Sequence, residues 1–178
     1  MWPLLLGLWK ARRGRKAAVA AIAPLVERSR QRLNGIPDAA WLDPYLVGFM
    51  ITFITLVARR EVNALDSQAL GLVQCSAWGD ITGMKAELVG EETLHCCELG
   101  DRDFECGCRD AVTVDLALYR GSFTREADRG EERNIGVDEV ADIDAIMALW
   151  EEHFDAKVLY AASRRDATEP QPCLGGGA

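Results

Sequence analysis

The chain has 178 residues, of which 49% are hydrophobic and 27% charged, so it can form one domain with a core, which argues against global disorder. Residues 1–36 carry eight Lys or Arg and one Glu, net +7; the rest carries twelve basic and 27 acidic residues, net −15, and together these give −8. The acidic body disfavours nucleic acid as a partner, because it repels phosphates. The basic segment is predicted to meet an anionic surface or to fold back on the acidic body; a solvated basic helix is the third interpretation.

The N-terminal segment joins an apolar run to a basic cluster. Residues 2–9 read WPLLLGLW, and KARRGRK follows directly. A membrane span needs about 20 apolar residues, so this run is too short to cross a bilayer. Residues 1–16 are instead predicted to form an arm that contacts a protein partner or an anionic membrane surface. The predicted contact residues are Trp2, Leu5, Trp9, Lys10, Arg12, Arg13, Arg15 and Lys16.

The order of charge and apolar residues also bears on the compartment. The positive charges follow the apolar N-terminal run instead of preceding it, so we expect no secretory signal peptide. Without export, reduced thiols are expected and not a disulfide framework. The chain has six cysteines, at positions 75, 96, 97, 106, 108 and 173. We therefore expect a cytoplasmic protein, with attachment to the periphery of a membrane as an extension of that expectation.

Two helices are predicted before residue 60. Apolar residues recur every three or four positions over 16–32, and the stretch 34–37 (NGIP) ends that pattern. Asp43 followed by Pro44 is typical of a helix start, because Asp accepts an otherwise unpaired N–H and Pro has none to lose. The residues that follow, as far as Ala58, are almost wholly apolar. They predict a buried central helix.

The central apolar run also carries a stripe of small residues. Gly48, Thr52 and Thr55 are spaced as i, i+4 and i+7, so they lie on one side of a helix, where another helix can approach closely. Two alternatives stay open for this run. Its β-branched content allows a strand, and its apolar character allows a membrane segment over 44–58, although that length is short for a span.

Further helices are predicted in the middle third. Asp66 is predicted to cap a helix that ends near Gly79, and helices are predicted over 84–99 and 102–119. Apolar residues also alternate with a period of two towards the end of the last of these. Short strands within 84–119, and hence an α+β architecture, are therefore an alternative.

The last third contains one periodic segment between polar stretches. Residues 120–136 are predicted to form a mobile charged loop, and 163–178 a disordered tail. Asp138 is predicted to cap a helix whose apolar face is Val140, Ile143, Met147, Trp150 and Phe154. The sequence as a whole predicts an all-α fold, a compact bundle of about five to six helices around the central apolar helix, with 17–162 as one domain.

Potential metal ligands concentrate between positions 95 and 108: His95, Cys96, Cys97, Cys106 and Cys108. Thiolate and imidazole ligands suit zinc or another transition metal. The spacing matches no standard zinc motif, and the adjacent Cys96 and Cys97 point in different directions, so both rarely bind one ion. The alternative is that these cysteines fill gaps in the core. We expect no cofactor, with zinc or another transition metal as the alternative.

No other motif carries a complete set of catalytic residues. Glu92 and His95 have the Glu-x-x-His spacing of di-iron bundles, but His153 is preceded three residues earlier by Trp150, so the second pair is missing. The sequence contains no Gly-rich phosphate loop, no G-x-S-x-G motif and no dinucleotide fingerprint. The sequence therefore favours a non-enzymatic interaction or accessory protein over a metal-binding or thiol-redox protein centred on 95–108.

Overall fold

The structure is a computed structural model that describes residues 2–128 and 137–166, with side chains described over 7–85, 87–119 and 143–164. The described residues form six helical rods and no strand. The helices are α1 (Trp2–Leu33), α2 (Pro44–Glu61), α3 (Ser67–Thr82), α4 (Ala86–Leu99), α5 (Arg102–Asp128), and α6 (Val137–Trp150), which continues through a π-helical turn (Glu151–Asp155) into α7 (Ala156–Asp166). A short 3-10 helix (Asp38–Leu42) precedes α2. The predicted all-α bundle is confirmed, and the alternative of strands within 84–119 is wrong.

Local sequence signals place the helix ends. Asp43 accepts a hydrogen bond from the backbone N–H of Tyr45 at 3.1 Å, and Asp66 accepts one from Ala69 at 2.8 Å, so both predicted caps are confirmed. After α1, the backbone N–H of Gly35 donates to the carbonyl oxygen of Arg30 at 2.8 Å. Gly35 has a φ of +110°, which favours glycine and ends the helix where the sequence predicts.

A close helix contact joins α2 to α5. A Cβ at Gly48 would overlap the carbonyl oxygen of Phe104 and lie 3.1 Å from its carbonyl carbon. A Cβ at Gly107 would overlap the carbonyl oxygen of Tyr45 and lie 2.9 Å from the backbone nitrogen of Phe49. Each helix therefore presents a glycine to the backbone of the other. The predicted close approach is confirmed at Gly48.

The other sides of α2 are covered by α1, α3 and the C-terminal rod. Gly14 of α1 is buried, and a Cβ on it would lie 3.3 Å from side-chain atoms of Ala58 and Val73. The fully buried aromatic residues meet around α2; they are Trp41, Phe49, Phe53, Trp78, Trp150 and Phe154. Since every residue from Tyr45 to Ile51 is buried, α2 is the central core helix that the sequence predicts. No helix in the described ranges combines the length and the apolarity that crossing a bilayer requires.

Three boundaries differ from the sequence-based expectation. The arm over 1–16 does not separate from the helix that follows, because α1 runs without a break from Trp2 to Leu33. Residues 120–128 of the predicted loop continue α5, and residues 163–166 of the predicted tail belong to α7. A polar composition favours a prediction of disorder for these residues. However, extending an existing helix by one residue is much easier than starting a new one, so polar residues can continue a helix. Residues 129–136 and 167–178, and the side chain of Asp138, lie outside what is described.

We expect Gly107→Ala to destabilise the protein by about 1–3 kcal/mol, because the added methyl forces the backbones of α2 and α5 apart. Gly71→Ala is the matched control. Gly71 is also helical, and a Cβ there meets nothing within 4 Å, so this change should stabilise by up to about 1 kcal/mol through helix propensity. Urea denaturation followed by circular dichroism measures both. Equal effects of the two substitutions would contradict the close contact.

Candidate functional site

The first contact of α1 with the bundle among the described side chains is made by Lys10. The Lys10 Nζ donates to the carbonyl oxygen of Ala64, between α2 and α3, at 3.1 Å. Ala11 is the first residue of the described part of α1 to be buried. The backbone of 2–9 continues as helix and spans about 12 Å at 1.5 Å per residue. On it, Leu8 is 57% exposed and Trp9 is 55% exposed.

Three of the cations predicted to contact a partner are held by the protein itself. Arg13 forms an ion pair with Glu61, at the end of α2, with an N–O distance of 2.7 Å. Arg15 donates two hydrogen bonds to the carboxylate of Asp80, at 2.6 and 2.7 Å. Lys10 is bonded to the α2–α3 connection as described above. The acidic body therefore binds part of the basic segment, as one of the three interpretations of the charge split predicts.

Arg12 and Lys16 remain directed to solvent. Both are exposed, and within the described side chains neither makes an ion pair or a hydrogen bond. They are four residues apart, so they lie on one side of α1, next to the exposed Leu8 and Trp9. We call these four residues the α1 tip. The two other predicted contact residues, Trp2 and Leu5, belong to α1, but their side chains fall outside the described set.

The Cys and His residues at 95–108 occupy different environments. His95 and Cys97 are exposed on α4, whereas the adjacent Cys96 is 2% exposed and faces the core. Cys106 and Cys108 are partly buried on α5 and pack against the core. The Sγ of Cys108 lies 3.6 Å from the carbonyl oxygen of Gly48, at the α2–α5 crossing. Cys96 and Cys108 thus fill space between helices, as one of the sequence-based alternatives expects.

Burial makes the two inner thiols poor ligands and poor nucleophiles. It raises the pKa of Cys96 to about 11, with a smaller contribution from the neighbouring Glu92. Burial likewise raises the pKa of Cys108. Because the thiolate is the reactive and metal-binding form, both side chains stay protonated at neutral pH. Across the side chains that the structure describes, no three His, Cys, Asp or Glu residues come together to hold a metal ion. The zinc site stays a prediction, without a convergent ligand set here.

A polar cluster that sequence reasoning missed joins three elements. The hydroxyl of Tyr45 on α2 donates to Asp110 Oδ2 on α5 at 2.7 Å. The Nδ1 of His153, in the π-helical turn, lies 3.3 Å from the same oxygen. Lys157 places its Nζ over the Tyr45 ring at 4.6 Å. Burial and the carboxylate both raise the pKa of Tyr45, which keeps the hydroxyl protonated as a donor. These partners are far apart in sequence, so no local pattern reveals them.

This cluster ties the C-terminal rod to the centre of the bundle. Asp110 receives both contacts on one oxygen, and its side chain is 28% exposed, with that of His153 at 18%. The π-helical turn shifts the helix register at His153, and such turns often occur at functional sites. Here the described contacts of the cluster join α2, α5 and the C-terminal rod to one another within the chain. The α1 tip is therefore the stronger candidate for an external binding surface.

Comparison of the chain with protein-family models, with curated proteins and with solved structures finds no match in any of the three.

We expect iodoacetamide to modify Cys97 in the folded protein much faster than the adjacent Cys96. Cys97 is exposed, whereas Cys96 is buried and its pKa is raised to about 11. The same raised pKa makes Cys96 favour the folded state below the ordinary thiol pKa, and this contribution is lost as the pH rises towards about 11. Mass spectrometry of fragments after timed alkylation distinguishes the two sites. Equal rates would contradict the burial of Cys96, and unfolding in urea should equalise them.

Proposed function

We propose that this chain is an interaction protein that binds an anionic membrane surface through the α1 tip. The observation that carries the proposal is the combination of two exposed apolar side chains, Leu8 and Trp9, with two exposed cations, Arg12 and Lys16, that have no partner in the described structure. Large apolar residues at the interface and adjacent cations are what a helix needs to bind anionic headgroups.

The position of the tip supports this proposal. The segment 2–9 ends in the exposed Leu8 and Trp9, which precede the first described contact of α1 with the bundle, that of Lys10 with Ala64, so a surface can approach them without disturbing the core. Its sequence contains no acidic residue, and the first acidic residue of the chain is Glu27. An anionic surface that meets this end therefore encounters cations and apolar side chains first. Arg13 lies 5.7 Å from the Trp9 ring and adds a third positive charge nearby, although it is paired with Glu61.

The net negative charge of the protein means that binding to an anionic surface must depend on how the protein is oriented. The net charge is −8, so the body repels an anionic surface at long range. Attraction then depends on the orientation that presents the tip, and it weakens as salt screens the cations. Apolar insertion of the tip residues supplies a contribution that salt does not screen. Binding should therefore decrease with salt but not vanish.

We expect the full chain to cosediment with vesicles of phosphatidylcholine and phosphatidylserine, and much less with phosphatidylcholine alone. Arg12→Gln with Lys16→Gln should lower the partition coefficient by roughly 30-fold, since each cation near the surface contributes about 1 kcal/mol. Leu8→Ser with Trp9→Ser should also weaken binding, through loss of apolar insertion.

Two changes elsewhere on the surface serve as matched controls for this experiment. Arg28→Gln removes an exposed cation near the other end of α1, and Leu159→Ser removes an exposed leucine on α7 that is 56% accessible. Neither should change the partition coefficient. A wild-type chain that stays in the supernatant with phosphatidylserine vesicles at low ionic strength would contradict the proposed function, as would equal losses for the tip variants and the controls.

A further inference from the structure

A second charged surface lies on α4. This helix carries four glutamates and no Lys or Arg. Glu87, Glu91 and Glu98 are exposed, and the described residues offer them no ion pair. Successive residues turn by about 100° around a helix, which places these three carboxylates within about 40° of one another. We call them the α4 ridge.

Exposed leucines flank the α4 ridge on both sides. Leu94 is 66% exposed and lies beside Glu87 in the helical projection. Leu99 is 67% exposed and lies with Leu88 on the opposite side of the ridge. A single exposed leucine is ordinary on a protein surface, but here apolar side chains border a line of unpaired carboxylates. Such a surface fits a helix with the same arrangement and opposite charge.

The α1 tip has that arrangement. In the helical projection Arg12 and Lys16 lie within about 40° of each other, with Leu8 on one side and Trp9 on the other. The tip therefore presents cations between apolar residues, and α4 presents carboxylates between apolar residues. Opposite charges at matching positions, each bordered by apolar contacts, favour docking and fix its register.

The two surfaces lie on different helices and are not paired with each other in the described structure. The tip is next to Ala64, where α2 ends and α3 begins. In contrast, α4 follows the end of α3 directly and leads into α5, whose Phe104 contacts Gly48 near the start of α2. Within one molecule the described carboxylates of the α4 ridge form no ion pair with Arg12 or Lys16, so both surfaces are open to a second copy.

We infer that the α1 tip of one copy docks on the α4 ridge of a second copy of this chain. The two surfaces are different, so the association either closes into a two-fold dimer, in which each tip meets the ridge of the other copy, or extends head-to-tail. One helix against another buries less than a standard interface, which makes the association weak and reversible. The inference goes beyond the membrane proposal and does not depend on it, although both use the tip.

Sedimentation velocity of the full chain tests the inference. We expect the sedimentation coefficient to rise with protein concentration at about 10 mM ionic strength, where the Debye length is about 30 Å, and to return to the monomer value at about 1 M, where it is about 3 Å. A monomer at every concentration in low salt overturns the inference. An association that high salt does not weaken also overturns it.

A charge exchange identifies the surfaces. Glu91→Lys with Glu98→Lys places cations on both surfaces, and Arg12→Glu with Lys16→Glu places carboxylates on both. Each variant alone should lose at least about tenfold in self-association, because like charges now meet. An equimolar mixture should recover assembly, since each surface of one variant matches a surface of the other. Failure of the mixture to assemble, with both variants folded, overturns the inference.

A matched control and a vesicle measurement separate this inference from the membrane proposal. Arg28→Glu reverses an exposed charge away from both surfaces and should leave self-association unchanged. A variant with Glu91→Gln and Glu98→Gln keeps its tip intact and adds no cation, so it should still bind anionic vesicles while losing self-association. If wild-type protein self-associates through the exchanged charges but ignores vesicles, only the membrane proposal fails. If the wild-type protein binds vesicles but does not self-associate, only the self-association inference fails.

Discussion

The architecture depends on the contact between the glycines of α2 and α5. At Gly48 the backbone of α5 occupies the position that a Cβ would need. At Gly107 the backbone of α2 does the same. This approach brings the side chains on either side of the crossing into close packing, including Cys108 against Gly48 and the stacked rings of Tyr45 and Phe49. With α5 on one side and α1 and α3 on others, the apolar surface of α2 is enclosed by its own chain.

The charged residues of the chain fall into two groups, those paired within the bundle and those left unpaired on its surface. Along most of α1, cations bind acidic groups of the bundle: Arg15 binds Asp80, and Arg32 contacts both Glu151 and the buried Asp155. Arg30 donates to the final carbonyl oxygens of α3, at 2.9 Å from that of Ile81. On two exposed surfaces the described charges stay unpaired, as cations on the α1 tip and carboxylates on the α4 ridge. The proposed interactions use these two surfaces.

Local patterns in the sequence predict the helices and several of their contacts. A cap such as Asp43 or Asp66 needs only its own neighbours, so the sequence identifies it directly. The spacing of Gly48, Thr52 and Thr55 also predicts a close helix contact, although not that Gly107 supplies the other half. The stretch 120–128 was harder to predict, because a helix continues more easily than its polar composition suggests.

The sequence predicts which residue types make up the candidate site, but not which of its cations pair with acidic residues of the bundle. The charge split and the Trp/Leu run predict a contact surface at the N-terminal end, yet they do not reveal that Arg13 and Arg15 are already paired with Glu61 and Asp80. Those partners are far away in sequence, and their positions follow from the packing of α1 on α2 and α3. The contact of Tyr45 with Asp110 is hidden for the same reason.

Hydrogen exchange of the backbone amides tests the central claim most directly, namely that α2 is enclosed by the other helices of its own chain. Residues such as Leu46, Met50 and Ile54 are fully buried, whereas α4 exposes most of its surface. The amides of α2 should therefore exchange only through global unfolding, and those of α4 through smaller, local openings. Exchange of the α2 amides at the rate found for α4 would contradict the account.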